Sequence, residues 1–349
     1  MIDVALLGTG GMMPLPGRFL SSMLCRINGK MILVDCGEGT QVSLRLLGWG
    51  FKQIDIICIT HFHGDHVSGL PGLLLTMANA ERTEPLKIFG PTGLAHVVKS
   101  LCVIAQDLPF DLEFTEWPKH PPNSYKPHIS SHNNSPINHN SAPSNHNLGE
   151  DTGGNPIEST PSDYFHTYTD DMFIIKALPL WHRTPCFGYS FELLRRGKFD
   201  PARAKAQDIP LKFWSALQKQ TEESIVYNGK TYCSDMVLGP PRKGLKLVFC
   251  TDTRPVPAMA HFAKDADLLI CEGLYGDEER QEKAAARKHM SFMEAAEVAK
   301  AANAKELWLT HFSPAMPDPY NYLKSATDIF PNSVIGKDRM NKTLKYEEE

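Results

Sequence analysis

Short apolar runs alternate with amphipathic stretches over most of the chain. Residues 2–7, 21–28 and 30–36 are brief and rich in apolar or β-branched side chains, the pattern of strands. The segment 38–47 predicts a helix, 54–60 a buried strand, 67–80 a largely apolar helix and 87–89 another strand. Periodicity then stops. From 118 to 163 the chain is rich in His, Asn, Ser and Pro with few large apolar residues, the composition of a disordered insertion. Two strand-like runs, 172–180 and 187–194, flank Trp181-His182-Arg183. After a distinct segment at 195–243 the alternation resumes, with strands at 245–250, 268–271 and 306–310 and helices near Ala258 and over 292–302. Ser291 followed by Glu294 is a capping-box start for the last of these helices and limits where His289 can point. The order of elements predicts an α/β fold.

Composition narrows the class. The chain has 349 residues, 42% apolar and 22% charged, with a net charge of -4, which excludes collagen, coiled coil and wholesale disorder. No apolar run reaches the roughly 18 residues of a membrane span, and the strand-like start is no charged leader, so a cytoplasmic protein is expected. The eight cysteines include no Cys-x-x-Cys pair and mostly sit in apolar segments, so disulfides and zinc ribbons are not expected. Gly8-Thr-Gly10-Gly11 follows a strand, but Met13 takes the third glycine place, which argues against a dinucleotide site. A phosphate-binding P-loop and a Gly-x-Ser-x-Gly elbow are absent.

The sharpest signal is His61-Phe-His63-Gly-Asp65-His66, between a buried strand and an apolar helix. Imidazole and carboxylate are ligands that zinc prefers, and a loop held at both ends fixes their directions. His61 and His63 can converge on one ion, while Asp65 and His66, past the Gly64 bend, can face a second. His182, Asp252 and His311 each follow an apolar strand and would come to the same sheet edge, completing five histidines and two aspartates. His289 and Glu272 occupy comparable places and suit acid/base or supporting roles.

These residues resemble the metallo-β-lactamase superfamily, and LLGTGG at 6–11, LVDCGEGTQ at 33–41, ITHFHGDHVSGLPGLL at 59–74, TDTRP at 251–255 and LTHFSP at 309–314 resemble its ribonuclease Z family. The resemblance implies a four-layer αβ/βα sandwich, formed by one domain over 1–349, with an inserted protruding arm. It implies two zinc ions per subunit, with manganese or iron as possible replacements. One zinc would be held by His61, His63 and His182, the other by Asp65, His66 and His311, with Asp252 bridging. Asp65 would be the general base, and His289, supported by Glu272, a catalytic histidine. The implied activity is phosphodiester hydrolysis that trims the 3′ end of precursor transfer RNA, leaving a 3′-hydroxyl on the transfer RNA and a 5′-phosphate on the trailer. A homodimer is expected, with no membrane partner.

Residues 195–243 stand where the family has an arm that grips transfer RNA. Within 195–220, Arg195, Arg196, Lys198, Arg203, Lys205, Lys212 and Lys219 face only Asp200 and Asp208, a local surplus of +5. That is an electrostatic footprint for phosphate, and Phe213 and Trp214 could pack the arm or stack on a base. Departures from the family pattern are Leu-Lys-Phe-Trp after Ile209-Pro210, Thr251 before Asp252, Cys271-Glu-Gly-Leu274, and Ala315 after Ser-Pro. None removes an expected ligand. The alternative they favour is a hydrolase of small phosphodiesters or other esters.

Overall fold

Two seven-stranded sheets face each other in the computed structural model, which describes residues 1–105, 107–118, 165–219, 224–276 and 281–347. The first sheet contains β1 (Ile2–Gly8), β2 (Ser22–Ile27), β3 (Lys30–Val34), β4 (Ile54–Cys58), β5 (Leu86–Pro91) and β6 (Leu112–Trp117) in that order, with β16 (Asn341–Leu344) outside β1. The second contains β7 (His166–Thr169), β8 (Phe173–Leu180), β9 (Cys186–Arg195), β12 (Arg242–Cys250), β13 (Leu268–Glu272), β14 (Leu307–Thr310) and β15 (Ser333–Ile335), again neighbour to neighbour. Each sheet is antiparallel at one side and parallel at the other: β3 to β6 run parallel, as do β12 to β15.

Successive side chains of each central strand point to opposite faces of its sheet. Phe187, Tyr189 and Phe191 of β9, with Leu247 and Phe249 of β12, meet Ile2, Val4 and Leu6 of β1 between the sheets. Their alternates face outward and are covered by helices. Leu7, Leu33 and Ile57 pack under α1 (Thr40–Leu47), α3 (Leu70–Asn79) and α4 (Leu94–Leu101). Val248, Cys250, Leu269 and Cys271 pack under α7 (Ala258–Phe262), α9 (Phe292–Ala301) and α10 (Leu323–Thr327). Helix, sheet, sheet, helix is the four-layer order expected. Among the described residues no helix is long and apolar enough to cross a membrane.

Some elements differ from the reading of the sequence. The helix expected at 67–80 is two, α2 (Gly64–Val67) and α3, because Pro71 lies in the first turn of α3 and cannot continue a helix through its missing N–H. A Cβ on Gly69 would stand 2.2 Å from the carbonyl oxygen of Gly37, so the intervening bend needs glycine to bring the two loops together. The strands β6, β7 and β16 carry no strong periodic signal, being short or half-exposed at sheet edges, whereas α4 is amphipathic, with Leu94 and Val98 buried one turn apart, and is missing from the reading of the sequence. Beyond Pro118, the stretch read as a disordered insertion lies outside the described residues.

Between β9 and β12 the chain leaves the second sheet. It forms α5 (Pro201–Ala206), α6 (Leu211–Lys219) and a hairpin of β10 (Ser224–Tyr227) and β11 (Lys230–Cys233). Ala204, Ile209, Leu217, Tyr232, Val237 and Leu238 give this arm a small core of its own. Since that core is separate from the core between the sheets, Leu217→Ala should open the arm by about 2–5 kcal/mol locally. Hydrogen exchange is expected to quicken at 199–238 while the main unfolding midpoint stays put; a lowered main midpoint would show the arm to be part of the body's cooperative unit.

Candidate metal centre

Several strands end at one edge where the two sheets meet. Asp35 follows β3, the His61–His66 loop follows β4, His182 follows β8, Asp252 follows β12, Glu272 closes β13 and His311 follows β14. Asp35, Asp252 and His311 have φ of 57°, 50° and 59°. This left-handed backbone, which Asp and His tolerate better than most residues, swings each side chain over its strand end instead of continuing the strand alternation.

The side chains form two groups that share one carboxylate. In the first, His61 Nε2 and His63 Nδ1 are 2.9 Å apart, His182 Nε2 is 3.3 Å from His63 Nδ1, and Asp252 Oδ2 is 3.6 Å from His61 Nε2 and 3.8 Å from His182 Nε2. In the second, His66 Nε2 and His311 Nε2 are 3.3 Å apart and each lies 3.1 to 3.5 Å from Asp65 Oδ2 and from Asp252 Oδ1. Ligand atoms 2.0–2.1 Å from a tetrahedral ion lie about 3.3–3.4 Å from one another, so the spacing within both groups fits a divalent metal. The donor set, nitrogen and carboxylate oxygen, fits as well.

Outward hydrogen bonds set which imidazole nitrogens face inward with a lone pair. His66 Nδ1 donates to Asp35 Oδ2 at 2.7 Å, His182 Nδ1 donates to the Lys288 carbonyl at 3.1 Å, and His61 Nδ1 is 3.0 Å from Thr60 Oγ1. Thr60 in turn donates its hydroxyl and its N–H to Asp35, at 2.8 Å each, so that buried carboxylate is fully engaged. Among the described residues His311 Nδ1 has no hydrogen-bond partner, Glu272 Oε2 lying 4.0 Å away; its ring is seated against Gly11, where a Cβ would stand 2.6 Å away. The glycine-rich turn after β1 therefore makes room for a histidine. Burial holds His61 well below its usual pKa, in the neutral form that coordinates metal. For His66 burial pulls the same way, but Asp252 and Asp35 outweigh it, and a metal ion must displace that proton.

His289 and Glu272 stand beside these groups. His289 Nδ1 is 2.9 Å from Glu272 Oε2, and Glu272, against the opposing effect of burial, raises the imidazole to about 9. Arg254 donates to the His289 carbonyl at 2.6 Å and forms a two-point ion pair with Glu294. Glu294 also completes the capping box with Ser291, so the start of α9 and the position of His289 are coupled. A cleft of about 450 Å³ opens over the cluster, bordered also by Met12, Arg183 and Arg287.

The structure thus brings together His61, His63, Asp65, His66, His182, Asp252 and His311, with His289 and Glu272 adjoining. Asp35, Thr60, Gly11 and Arg254 were not singled out individually from the sequence; the only signal was that each lies in one of the motifs at a strand end. The arm cations lie elsewhere and differ among themselves. Arg203 donates to the carbonyls of Leu238 and Asp235, and Arg195 lies 4.6 Å from the Tyr346 ring centroid. Lys212 lies over Tyr227 at 3.7 Å, while Lys205 is exposed. Phe213 and Trp214 pack against the arm's core, and the Trp214 indole donates to the Ile209 carbonyl.

Comparison with known proteins agrees with this geometry. Residues 201–312 match the profile of the beta-lactamase superfamily domain, and residues 2–106 that of the anti-Pycsar protein Apyc1. The chain is 45% identical to ribonuclease Z of Lachnoclostridium phytofermentans and 46% identical to that of Clostridium acetobutylicum, over 99% of each chain in both cases. It superposes on the short form of human tRNase Z with a TM-score of 0.65 at 26% identity, covering 99% of this chain and 100% of that one.

If Asp35 sets the orientation of His66, Asp35→Ala should weaken metal binding about 10–100-fold, read by competition with a coloured chelator. Unchanged affinity would leave the Asp35 bonds a purely structural role.

Proposed function

Because the chain belongs to the ribonuclease Z family, we infer that it is a metal-dependent endoribonuclease that removes the 3′ extension of precursor transfer RNA. The observation that carries the reading is the pair of ligand groups joined through Asp252, on a chain that matches these relatives over almost its full length. Two zinc ions are the proposed occupants, one with His61, His63 and His182, the other with Asp65, His66 and His311, Asp252 shared; manganese or iron would suit the same donors. When bound, such ions act as Lewis acids toward phosphoryl oxygen and lower the pKa of water.

The residues of the chain supply the rest. Asp65 has a side chain 10% exposed against 3% for Asp252, so it is the carboxylate that an attacking water can reach. It orients that water and takes its proton as the new P–O bond forms. His289, kept protonated by Glu272, donates a proton to the departing 3′ oxygen as the old bond breaks. The transfer RNA leaves with a 3′-hydroxyl and the trailer keeps the 5′-phosphate. The Met12 N–H donates to Asp65 Oδ2 at 2.6 Å and steadies the base.

Substrate reach comes from the arm. β9 starts beside the cluster, where Cys186 Sγ is 3.9 Å from His61 Nδ1, and ends at Arg195, the tenth residue of the strand, at the arm's root. At 3.3 Å per residue the separation is about 30 Å, so the arm grips RNA far from the cut. A homodimer, in which one subunit's arm presents RNA to its partner's centre, uses that separation. The cytoplasm, where bacteria such as those of the relatives hold transfer-RNA precursors, is the proposed location.

Metal-loaded protein is expected to cleave a 3′-extended precursor transfer RNA, and chelation or Asp65→Ala to reduce the rate at least a hundredfold. Turnover of a chromogenic phosphodiester without RNA cleavage would instead favour a small-diester hydrolase. Arg196→Ala with Lys205→Ala should raise KM for the precursor several-fold and leave small-diester turnover close to that of the unaltered protein. Equal loss on both substrates would show that these arm residues do not act through RNA.

A further inference from the structure

His61, His66 and His182 each have a partner at the nitrogen that faces away from the ligand groups, but His311 does not. Packing must therefore direct its buried ring, and the wall it packs on is the turn after β1: a Cβ on Gly11 would meet three ring atoms at 2.6 to 2.8 Å. The same turn holds a second ligand. Met12, in left-handed backbone at φ 70°, donates its N–H to Asp65 Oδ2 at 2.6 Å. The stretch 9–12 thus touches Asp65 and His311, two of the three residues that belong to the second group alone.

This turn lies beyond the end of β1 and has no strand ladder to fix it. On one side the Gly10 N–H donates to the Phe19 carbonyl at 2.8 Å and the Ser21 N–H to the Gly10 carbonyl at 2.9 Å; on the other, Gly11 and Phe312 exchange N–H bonds with the Phe312 and Thr9 carbonyls at 3.0 and 2.8 Å. These partners are loop residues too. A single carboxylate joins them: Asp338 Oδ1 accepts from the buried Thr9 hydroxyl at 2.8 Å and Oδ2 from the Phe19 N–H at 2.7 Å. Asp338 lies where the chain crosses from β15 in the second sheet to β16 in the first, and the crossing is tied down at both ends. The Gly336 N–H donates to the Leu309 carbonyl in β14 at 2.8 Å, and the Arg339 N–H to the Leu6 carbonyl in β1 at 2.6 Å. Arg18 adds a strap, donating to the Met316 and Pro317 carbonyls at 2.9 Å each. We propose that Asp338 is a positioning residue for the second ligand group: by joining Thr9 to Phe19 it fixes the 9–12 turn, and through that turn the His311 ring and the Asp65 carboxylate. The first group, His61, His63 and His182, is not seated on the turn, so the effect falls on one ion of the two. The proposal rests on the reading of the ligand groups as a two-ion centre.

The test is zinc titration of the metal-free full chain in competition with a coloured chelator, which should resolve two binding steps; the step that His311→Ala abolishes belongs to the second group. Asp338→Ala should weaken that step about tenfold, the low end of what a residue behind the ligands supplies, and leave the other within about twofold. Asp338→Asn, which can still accept from one of its two donors, should fall between Asp338→Ala and the parent. Thr9→Val removes only the hydroxyl from a side chain of the same shape and should weaken the same step several-fold, so the test stands even if Asp338→Ala does not fold. Equal weakening of both steps would show a general structural role and overturn the proposal, as would a second step unchanged in Thr9→Val and Asp338→Asn. A parent protein that binds two ions yet cleaves no precursor would overturn the functional reading instead, while the affinities would still decide the role of Asp338.

Discussion

The carboxylate of Asp252 is the point on which the metal centre is built. Five histidines reach it within 4 Å: His61 at 3.6 Å, His66 at 3.3 Å, His182 at 3.8 Å, His289 at 3.9 Å and His311 at 3.1 Å. Taking a lone carboxylate out of water would cost several kcal/mol, and burial does push Asp252 upward, but the surrounding imidazoles outweigh it and keep the group ionised. Those imidazoles come from both sheets, so strand ends of the two facing sheets must lie side by side for the charge to be tolerated. The left-handed turns at Asp35, Asp252 and His311 meet the same demand locally, each turning a polar side chain away from an apolar strand and over its end.

Much of this was legible in the sequence, because a strand that ends in a histidine or aspartate announces both its burial and its direction. The chain is apolar at 56–59, 177–181, 247–250 and 307–309, shortly before His61, His182, Asp252 and His311, and a short continuous apolar run marks a strand end covered on both faces. What the sequence hid was whatever depends on a partner distant along the chain. Asp35 reads as an ordinary residue at a strand end, and only the fold shows its carboxylate between Thr60 and His66. Arg203 counts as a phosphate-binding cation on charge alone, yet its guanidinium braces two carbonyls inside the arm. Edge strands such as β16, with Asn, Lys and Thr before one buried Leu344, lack the apolar alternation because half of each lies in solvent.

The metal centre and the arm lie at opposite ends of the same strands. One end of β9 and β12 borders the cluster and the other carries the arm, with the inter-sheet aromatic core between them. A close-packed interior of this kind deforms little, so the distance from centre to arm is set by strand length and not by loop conformation.

The centre is also spread thinly along the chain. His61 and His311 are 250 positions apart, and the residues of each group come from at least two widely separated segments. During synthesis, the first segment emerges with three histidines and an aspartate that have no second half to close around, and the bridging carboxylate follows almost two hundred residues later. Hydrolytic capacity therefore cannot precede completion of the second sheet. A nascent or truncated chain on the ribosome, surrounded by RNA, carries no assembled nuclease, and order of synthesis itself acts as a safeguard.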